Sequence, residues 1–174
     1  MTSQVGSESA LSSPAVVIRP ILSQDAEAVH ELRRQPKVMD GTTSLPSERI
    51  EDRRRFIEGF GPDDHVFVAE VDGRVVGIAG LHVKRSRRRH VGEIGMMVHD
   101  DFQGQGIGRQ LLAALLELAD NYLGLIRVEL EVLPDNACAV TLYEHFGFQH
   151  EGRKQKALLR GGRYADLLVM GRVR

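Results

Sequence analysis

The sequence predicts a mixed α/β domain, an α+β arrangement with a mostly antiparallel central sheet flanked by helices. Three observations predict it. Apolar residues alternate through much of residues 65–99, the period of half-buried strands. From Leu111 to Tyr122 they recur every three to four positions instead, the period of a helix. Glycine turns punctuate both patterns. Asp72-Gly73 and Gly161-Gly162 separate alternating runs, as hairpin turns do, and Gln103-Gly104-Gln105-Gly106-Ile107-Gly108 joins a strand to the long helix.

Taken in order, residues 1–13 are rich in Ser, Gln, Glu and Gly and read as a disordered tail, without the basic start and apolar stretch of a signal peptide. Residues 15–20 read as a first strand. Ser23 is a candidate N-cap for a helix over residues 24–35, with Ala28, Val29 and Leu32 as its apolar stripe and Pro36 as its stop. A second helix is expected from about Pro46-Ser47 to Glu58, carrying Ile50, Phe56 and Ile57 among many charges; Gly59, Gly61 and Pro62 stop it. Residues 65–71 and 74–84 form a hairpin, residues 85–89 its next tip, and residues 90–99 a third strand. After the long helix, which should include Tyr122, residues 126–133 alternate as a strand. Residues 136–146 form a short helix closed by Gly147, and residues 148–159 and 163–173 are two late strands. The predicted order is β-α-α-β-β-β-α-β-α-β-β.

The length, 174 residues, suits one domain, over residues 14–174. With 23 basic against 24 acidic residues the net charge is −1, so no global field draws the chain to nucleic acid or membrane. A single cysteine, Cys138, excludes an internal disulfide and fits a reducing compartment. The apolar run over residues 111–116 in the main helix is far too short to span a bilayer. The expectation is a cytoplasmic protein.

The glycine turn carries the first chemistry. A glycine-rich turn opening a helix gathers unpaired N–H groups at the positive end of the helix dipole, which suits a phosphate. It is not a Walker loop, because Gly108 is followed by Arg109-Gln110 rather than Lys-Ser/Thr. It is not a dinucleotide fingerprint either: Gly104, Gly106 and Gly108 give G-x-G-x-G, and the turn lies past mid-chain. Gln103, Gly106 and Gly108 do satisfy Q/R-x-x-G-x-G/A. In this the chain resembles the GNAT superfamily of N-acetyltransferases, whose acetyl-CoA pyrophosphate loop has that pattern.

Residues 136–148, reading NACAVTLYEHFGF, are similar to a second signature of the superfamily, N-x-x-A-x-x-L-Y-x-x-x-G-F. Asn136 and Tyr143 lie about 10 Å apart along one face of the short helix, almost two turns. The resemblance covers roughly residues 16–172, is most specific from Glu93 to Phe148, and is weakest in the two early helices. It implies a sheet splayed between its fourth and fifth strands, with the cosubstrate acetyl-CoA in the gap. It implies that the main chain of Gln103, Gly104, Gln105, Gly106, Ile107, Gly108 and Arg109 holds the pyrophosphate. Main-chain groups near Met97 and Val98 would bind pantetheine and polarise the thioester carbonyl, an oxyanion-donor role. Asn136 would contact the pantetheine arm, besides capping its helix. The Tyr143 hydroxyl would protonate the departing thiolate, chemistry open to a phenol of ordinary pKa about 10. A core aromatic is the structural alternative for Tyr143.

Transfer to an amine also needs a base. Glu93, on the strand entering the site, is the leading candidate; a surface ion pair is its structural alternative. Glu129 and Glu131 share a face of the next strand, and His82, His90 and His99 are further options. Cys138 lacks a partner at nucleophile spacing and reads as a structural thiol; the histidines show no metal-like spacing, so no metal is expected. The basic run Arg85-Ser86-Arg87-Arg88-Arg89-His90 could touch nucleic acid, an acidic protein or the 3′-phosphate of CoA, but without interleaved aromatics it reads as a solvated tip, and no nucleic-acid partner is expected. Residues 157–170 resemble the closing hairpin of bacterial relatives that acetylate free L-amino acids, where Arg163, Tyr164 and Asp166 could line the acceptor pocket. The acceptor expected is therefore a small-molecule amine, most readily a free L-amino acid. A protein N-terminus, a polyamine or amine drug, or a non-catalytic CoA-binding role are the alternatives. A homodimer is a family-level expectation.

Overall fold

The computed structural model describes residues 15–174; the tail expected over residues 1–13 lies outside the described residues. Strands β1 (Val16–Pro20), β2 (Asp64–Val71), β3 (Arg74–Val83), β4 (Val91–Val98), β5 (Arg127–Val132), β6 (Gln149–Arg160) and β7 (Arg163–Val173) form one sheet. Its order is β1-β2-β3-β4-β5-β7-β6. Only β4 and β5 run parallel among these neighbours. The helices are α1 (Ala26–Arg33), α2 (Pro36–Asp40), α3 (Ile50–Glu58), α4 (Ile107–Glu117) and α5 (Ala137–His145).

The expected order is present, with one addition and several shifted ends. Asp25, rather than Ser23, organises the entry to α1: its carboxylate accepts the Leu22 N–H at 2.8 Å and binds the Arg19 guanidinium at 2.8 and 2.9 Å. Pro36 does stop α1, but it also opens α2 at the first helical position, where its missing N–H costs nothing. In α4, Ile107, Leu111, Leu112, Leu115 and Leu116 are buried against the sheet. Each such leucine contributes roughly 1.5–3 kcal/mol by leaving water. The expected helix end differs: residues 118–122 form a π turn, closed by the Leu123 N–H to the Leu118 carbonyl at 3.0 Å. The wider turn rotates Tyr122 out of the apolar stripe, leaving it 77% exposed.

The sheet has a packed face on each side. Ala79, Leu81 and Ile94 meet α4 on one; Ile78 meets Ala26, Val29 and Ile57 of α1 and α3 on the other. The β4–β5 ladder runs only from Val91↔Arg127 to Glu93↔Glu129. Beyond it β4 stays with β3 as far as Val98↔Gly77, while β5 stays with β7 as far as Val132↔Leu168. The two strands part there, and the gap is the expected splay.

Candidate active site

The turn after β4 is braced by side chains. Gln103 Nε2 donates to the Val98 carbonyl at 3.0 Å, and Gln105 Nε2 to the Asp101 carbonyl at 2.9 Å. Gly104 and Gly106 take left-handed φ values of +75° and +81°. A Cβ added at either would meet nothing within 4 Å, so these positions need glycine for their backbone angle, and the surface above them is open. The ladder of α4 starts with the Gln110 N–H to the Gly106 carbonyl at 3.1 Å. Among the described residues the N–H groups of Gly106, Ile107, Gly108 and Arg109 have no acceptor. They form an anion cradle at the positive end of an eleven-residue helix.

Ile107 belongs to that cradle through its main chain alone, because its side chain is buried in the core. The Arg109 side chain turns to α5, with Nη1 3.1 Å from His145 Nε2 and the guanidinium 5.7 Å from the Phe146 ring centre. His99 is excluded as a base. It is 4% exposed, its Nδ1 lies 3.2 Å from the Asp101 N–H, and its Nε2 lies 2.8 Å from Arg74 Nη2.

The wall of the gap follows from strand alternation. The His99 N–H bonds the Val76 carbonyl and the Val91 carbonyl accepts from Lys84, so the odd-numbered residues of β4 turn their main chain to β3. Met96 and Val98 therefore direct theirs into the gap. Gln103 takes the Val98 carbonyl, which leaves the Val98 N–H as the free donor at the end of the strand. Met97 is a correction to the expected pair: its main chain is committed to β3, and its side chain lines a cavity on the opposite face. Met96, not singled out from the sequence, has the main-chain orientation expected of its neighbour.

Helix α5 packs beside the start of α4, with Leu142 3.6 Å from the Cβ position of Gly108 and His145 against Arg109. Asn136 Oδ1 accepts the Ala139 N–H at 3.2 Å, so this residue is the N-cap, with its amide nitrogen still free. Tyr143 is 6% exposed, with its ring 5.8 Å from that of Phe148. No group among the described residues hydrogen-bonds its hydroxyl. Burial pushes the Tyr143 pKa up to about 12, so the phenol stays protonated at neutral pH.

The cavity, about 400 Å³, lies between α1, α3 and strands β2–β4. It is lined on one side by Glu93, the last residue of the β4–β5 ladder, and by Gly95 and Met97 beyond it. Glu93 is half exposed and ion-paired with Lys84. Its register partner is His82, whose Nδ1 lies 2.6 Å from Asp64 Oδ1. Position thus favours His82 over His90, which does not line this cavity. Glu129 is held by Arg88 at 2.8 Å and Arg127 at 3.0 Å, and Glu131 by Lys154; neither lines the cavity.

The closing hairpin does not line it either. Asp166 accepts the Lys156 N–H at 2.8 Å and binds Arg153 at 2.6 Å, holding the irregular middle of β6 in place. Arg163 and Tyr164 are exposed. The basic tip is paired in part, Arg85 with Asp63 and Arg88 with Glu129. Cys138 is exposed. Among the described residues no three His, Cys, Asp or Glu side chains are grouped to hold a metal.

Sequence reasoning missed Arg33 and Arg53, which do line the cavity. The signal was present at Arg53. Ile50, Arg53 and Ile57 fall at helical spacing, so this arginine shares the inward stripe of α3, while Phe56 is 57% exposed.

The profile of the acetyltransferase (GNAT) family matches residues 26–148. The chain belongs to this family. GNAT enzymes are N-acetyltransferases with acetyl-CoA as cosubstrate, and this protein is one of them. It is 35% identical over 167 residues to the L-amino acid N-acetyltransferase AaaT of Escherichia coli, covering 91% of this chain and 98% of that protein. The spermidine N(1)-acetyltransferase of the same organism is 25% identical, with 91% and 86% covered. Among solved structures, a ribosomal-protein-alanine N-acetyltransferase from Brucella melitensis superposes with a TM-score of 0.80 at 28% identity, covering 91% of this chain and 99% of that one. The unpaired N–H groups, the open glycine surface and the splayed strands fit the pyrophosphate and pantetheine of acetyl-CoA. Among the described residues no helix is long and apolar enough to cross a membrane.

Proposed function

We propose that the protein transfers the acetyl group of acetyl-CoA directly to the amine of a free L-amino acid. The observation that carries this is the placement of two compartments on β4. The splay between β4 and β5 lies to one side, and a 400 Å³ cavity with a carboxylate at its edge lies to the other; in this reading the buried, protonated Tyr143 stands at the splay. The N–H groups from Gly106 to Arg109 hold the pyrophosphate, and the free amide of Asn136 meets the pantetheine arm. Acetyl-CoA supplies a thioester activated toward amines.

The Val98 N–H donates to the thioester oxygen as negative charge develops there. Glu93, directly or through water, accepts the proton the amine must lose. As the C–N bond forms and the C–S bond breaks, Tyr143 gives its proton to the thiolate and recovers one from solvent. His82, oriented by Asp64, is the second candidate for the base. Residues 14–174 act as one domain in this reading, in the cytoplasm and as a homodimer; the exposed thiol of Cys138 and the unpaired edge of β6 are consistent with both.

A second reading takes a polyamine or a protein N-terminus as acceptor. It is supported by the Asp64 and Glu93 carboxylates beside the cavity and by the names of other relatives. Mass spectrometry of the protein incubated with acetyl-CoA, a pool of L-amino acids, spermidine and ribosomal-protein N-terminal peptides tests the choice. Acetylated amino acids are expected; acetylation of peptide or spermidine alone would replace this reading with the second.

A further inference from the structure

We propose that Arg53, backed by Arg33, is the group that recognises the acceptor's carboxylate, so that the enzyme selects α-amino acids over amines of the same side chain. This rests on the free-amino-acid reading above and deepens it.

Arg53 is 5% exposed, yet it is incompletely paired. Its Nη2 binds Glu48, while its Nε is buried with no partner. The same Glu48 carboxylate also holds Arg33 Nε at 3.1 Å. Two guanidinium groups thus share one carboxylate, which leaves an excess of one positive charge beside the cavity. The Phe56 ring, 4.8 Å from the Arg53 guanidinium carbon, offsets part of that cost. Burial, and then the neighbouring Arg33 charge, push the Arg53 pKa down, as expected of a cation short of counter-charge. A buried cation with donors to spare is a site for an anion, and a planar guanidinium matches a carboxylate in two bonds.

The rest of the cavity fixes the anion's identity. Its apolar wall includes Phe60 and Ile78, and its carboxylates, Asp64 on β2 and Glu93 on β4, stand on its sheet side. A ligand suited to both ends carries an anion toward α1 and α3 and an amine toward β4, with an apolar side chain between them. That is a zwitterionic amino acid. A polyamine would set a cation against Arg53.

The test compares kcat/KM for L-leucine with that for 3-methylbutylamine, the same molecule without its carboxylate. The intact protein is used with acetyl-CoA, beside Arg53→Gln and Arg53→Lys. The wild type should prefer leucine by about 10- to 100-fold, the loss typical of leaving a charged pocket group unmatched. Arg53→Gln should bring the ratio close to one and Arg53→Lys should restore part of it, with acetyl-CoA affinity and melting temperature as checks on folding. If Arg53→Gln does not fold, Arg33→Gln reads the same ratio, with a smaller fall expected. An unchanged ratio in folded variants would overturn this inference and leave the amino-acid reading standing. A wild type that acetylates 3-methylbutylamine and spermidine but not leucine would overturn both.

Discussion

The side-chain amide of Gln103 donates to the Val98 carbonyl at 3.0 Å, tying the anion cradle to the end of β4. That one bond sets where the glycine turn begins and withdraws the carbonyl from the gap, leaving the adjacent N–H as donor. Gln103→Ala should raise the acetyl-CoA Kd about 3- to 10-fold, the worth of one partly exposed hydrogen bond, with little change in melting temperature. Isothermal titration with acetyl-CoA reads it; an unaltered Kd would detach Gln103 from the cofactor loop.

Gly106 caps α4 at φ +81°, with no atom within 4 Å of an added Cβ. Gly106→Ala meets no steric obstacle, only the left-handed backbone penalty of about 1–2 kcal/mol. The chain can relieve it by rotating, which turns the unpaired N–H groups away. Denaturant unfolding should show a loss of about 1 kcal/mol, and acetyl-CoA affinity should fall by more than that loss alone implies. Gly108→Ala is the contrast: its Cβ would sit 3.5 Å from Met96 and 3.6 Å from Leu142, ordinary contact, so unfolding should barely change.

Glu93 and His82 are register partners at the cavity edge, and kinetics separates them. Glu93→Gln should lower kcat/KM about 100-fold across the pH range, the low end of general-base effects, whereas His82→Gln should lower it only a few fold. The reverse ranking would transfer the base role to the histidine held by Asp64.

The fold was legible because its periods and turns were local. Alternation over residues 65–99, Asp72-Gly73 and the stripe of α4 each fixed an element from within a few residues, and the glycine loop and the NACAVTLYEHFGF segment marked the starts of α4 and α5. What failed depended on distant partners. The bulge leaves Val76 of β3 unpaired between Ala69↔Gly77 and Glu70↔Val75, so Val76 and Gly77 both face α4, which alternation alone does not give. The acceptor cavity joins α1, α3 and three strands, so Arg53 looked like one charge among many until α3 was laid on the sheet. Conversely, Asp166 looked like a pocket residue until its bonds to β6 were seen.

Asp25 gives the stability of the α1 entry a pH dependence. Burial alone would raise its pKa, but the Arg19 guanidinium and the Leu22 N–H outweigh that and hold it below the ordinary 3.8. A depressed folded value means the contribution is complete above about pH 3.8 and is lost as pH falls through the lower folded value. Asp25→Asn should cost about 2–3 kcal/mol at pH 7, since Arg19 loses its buried partner, and should flatten the acid limb of the stability profile. Urea unfolding from pH 2 to 7 checks both.

The most direct test of the account is the turnover of Tyr143→Phe. The substitution keeps the buried ring that packs beside Phe148 and removes only a protonated hydroxyl that has no partner among the described residues. The account predicts a fall in kcat of about 100-fold, within the range for one general acid, with the acetyl-CoA Kd within about two-fold of wild type. Wild-type turnover in a folded Tyr143→Phe protein would contradict it, and would leave the departing thiolate to take its proton from water.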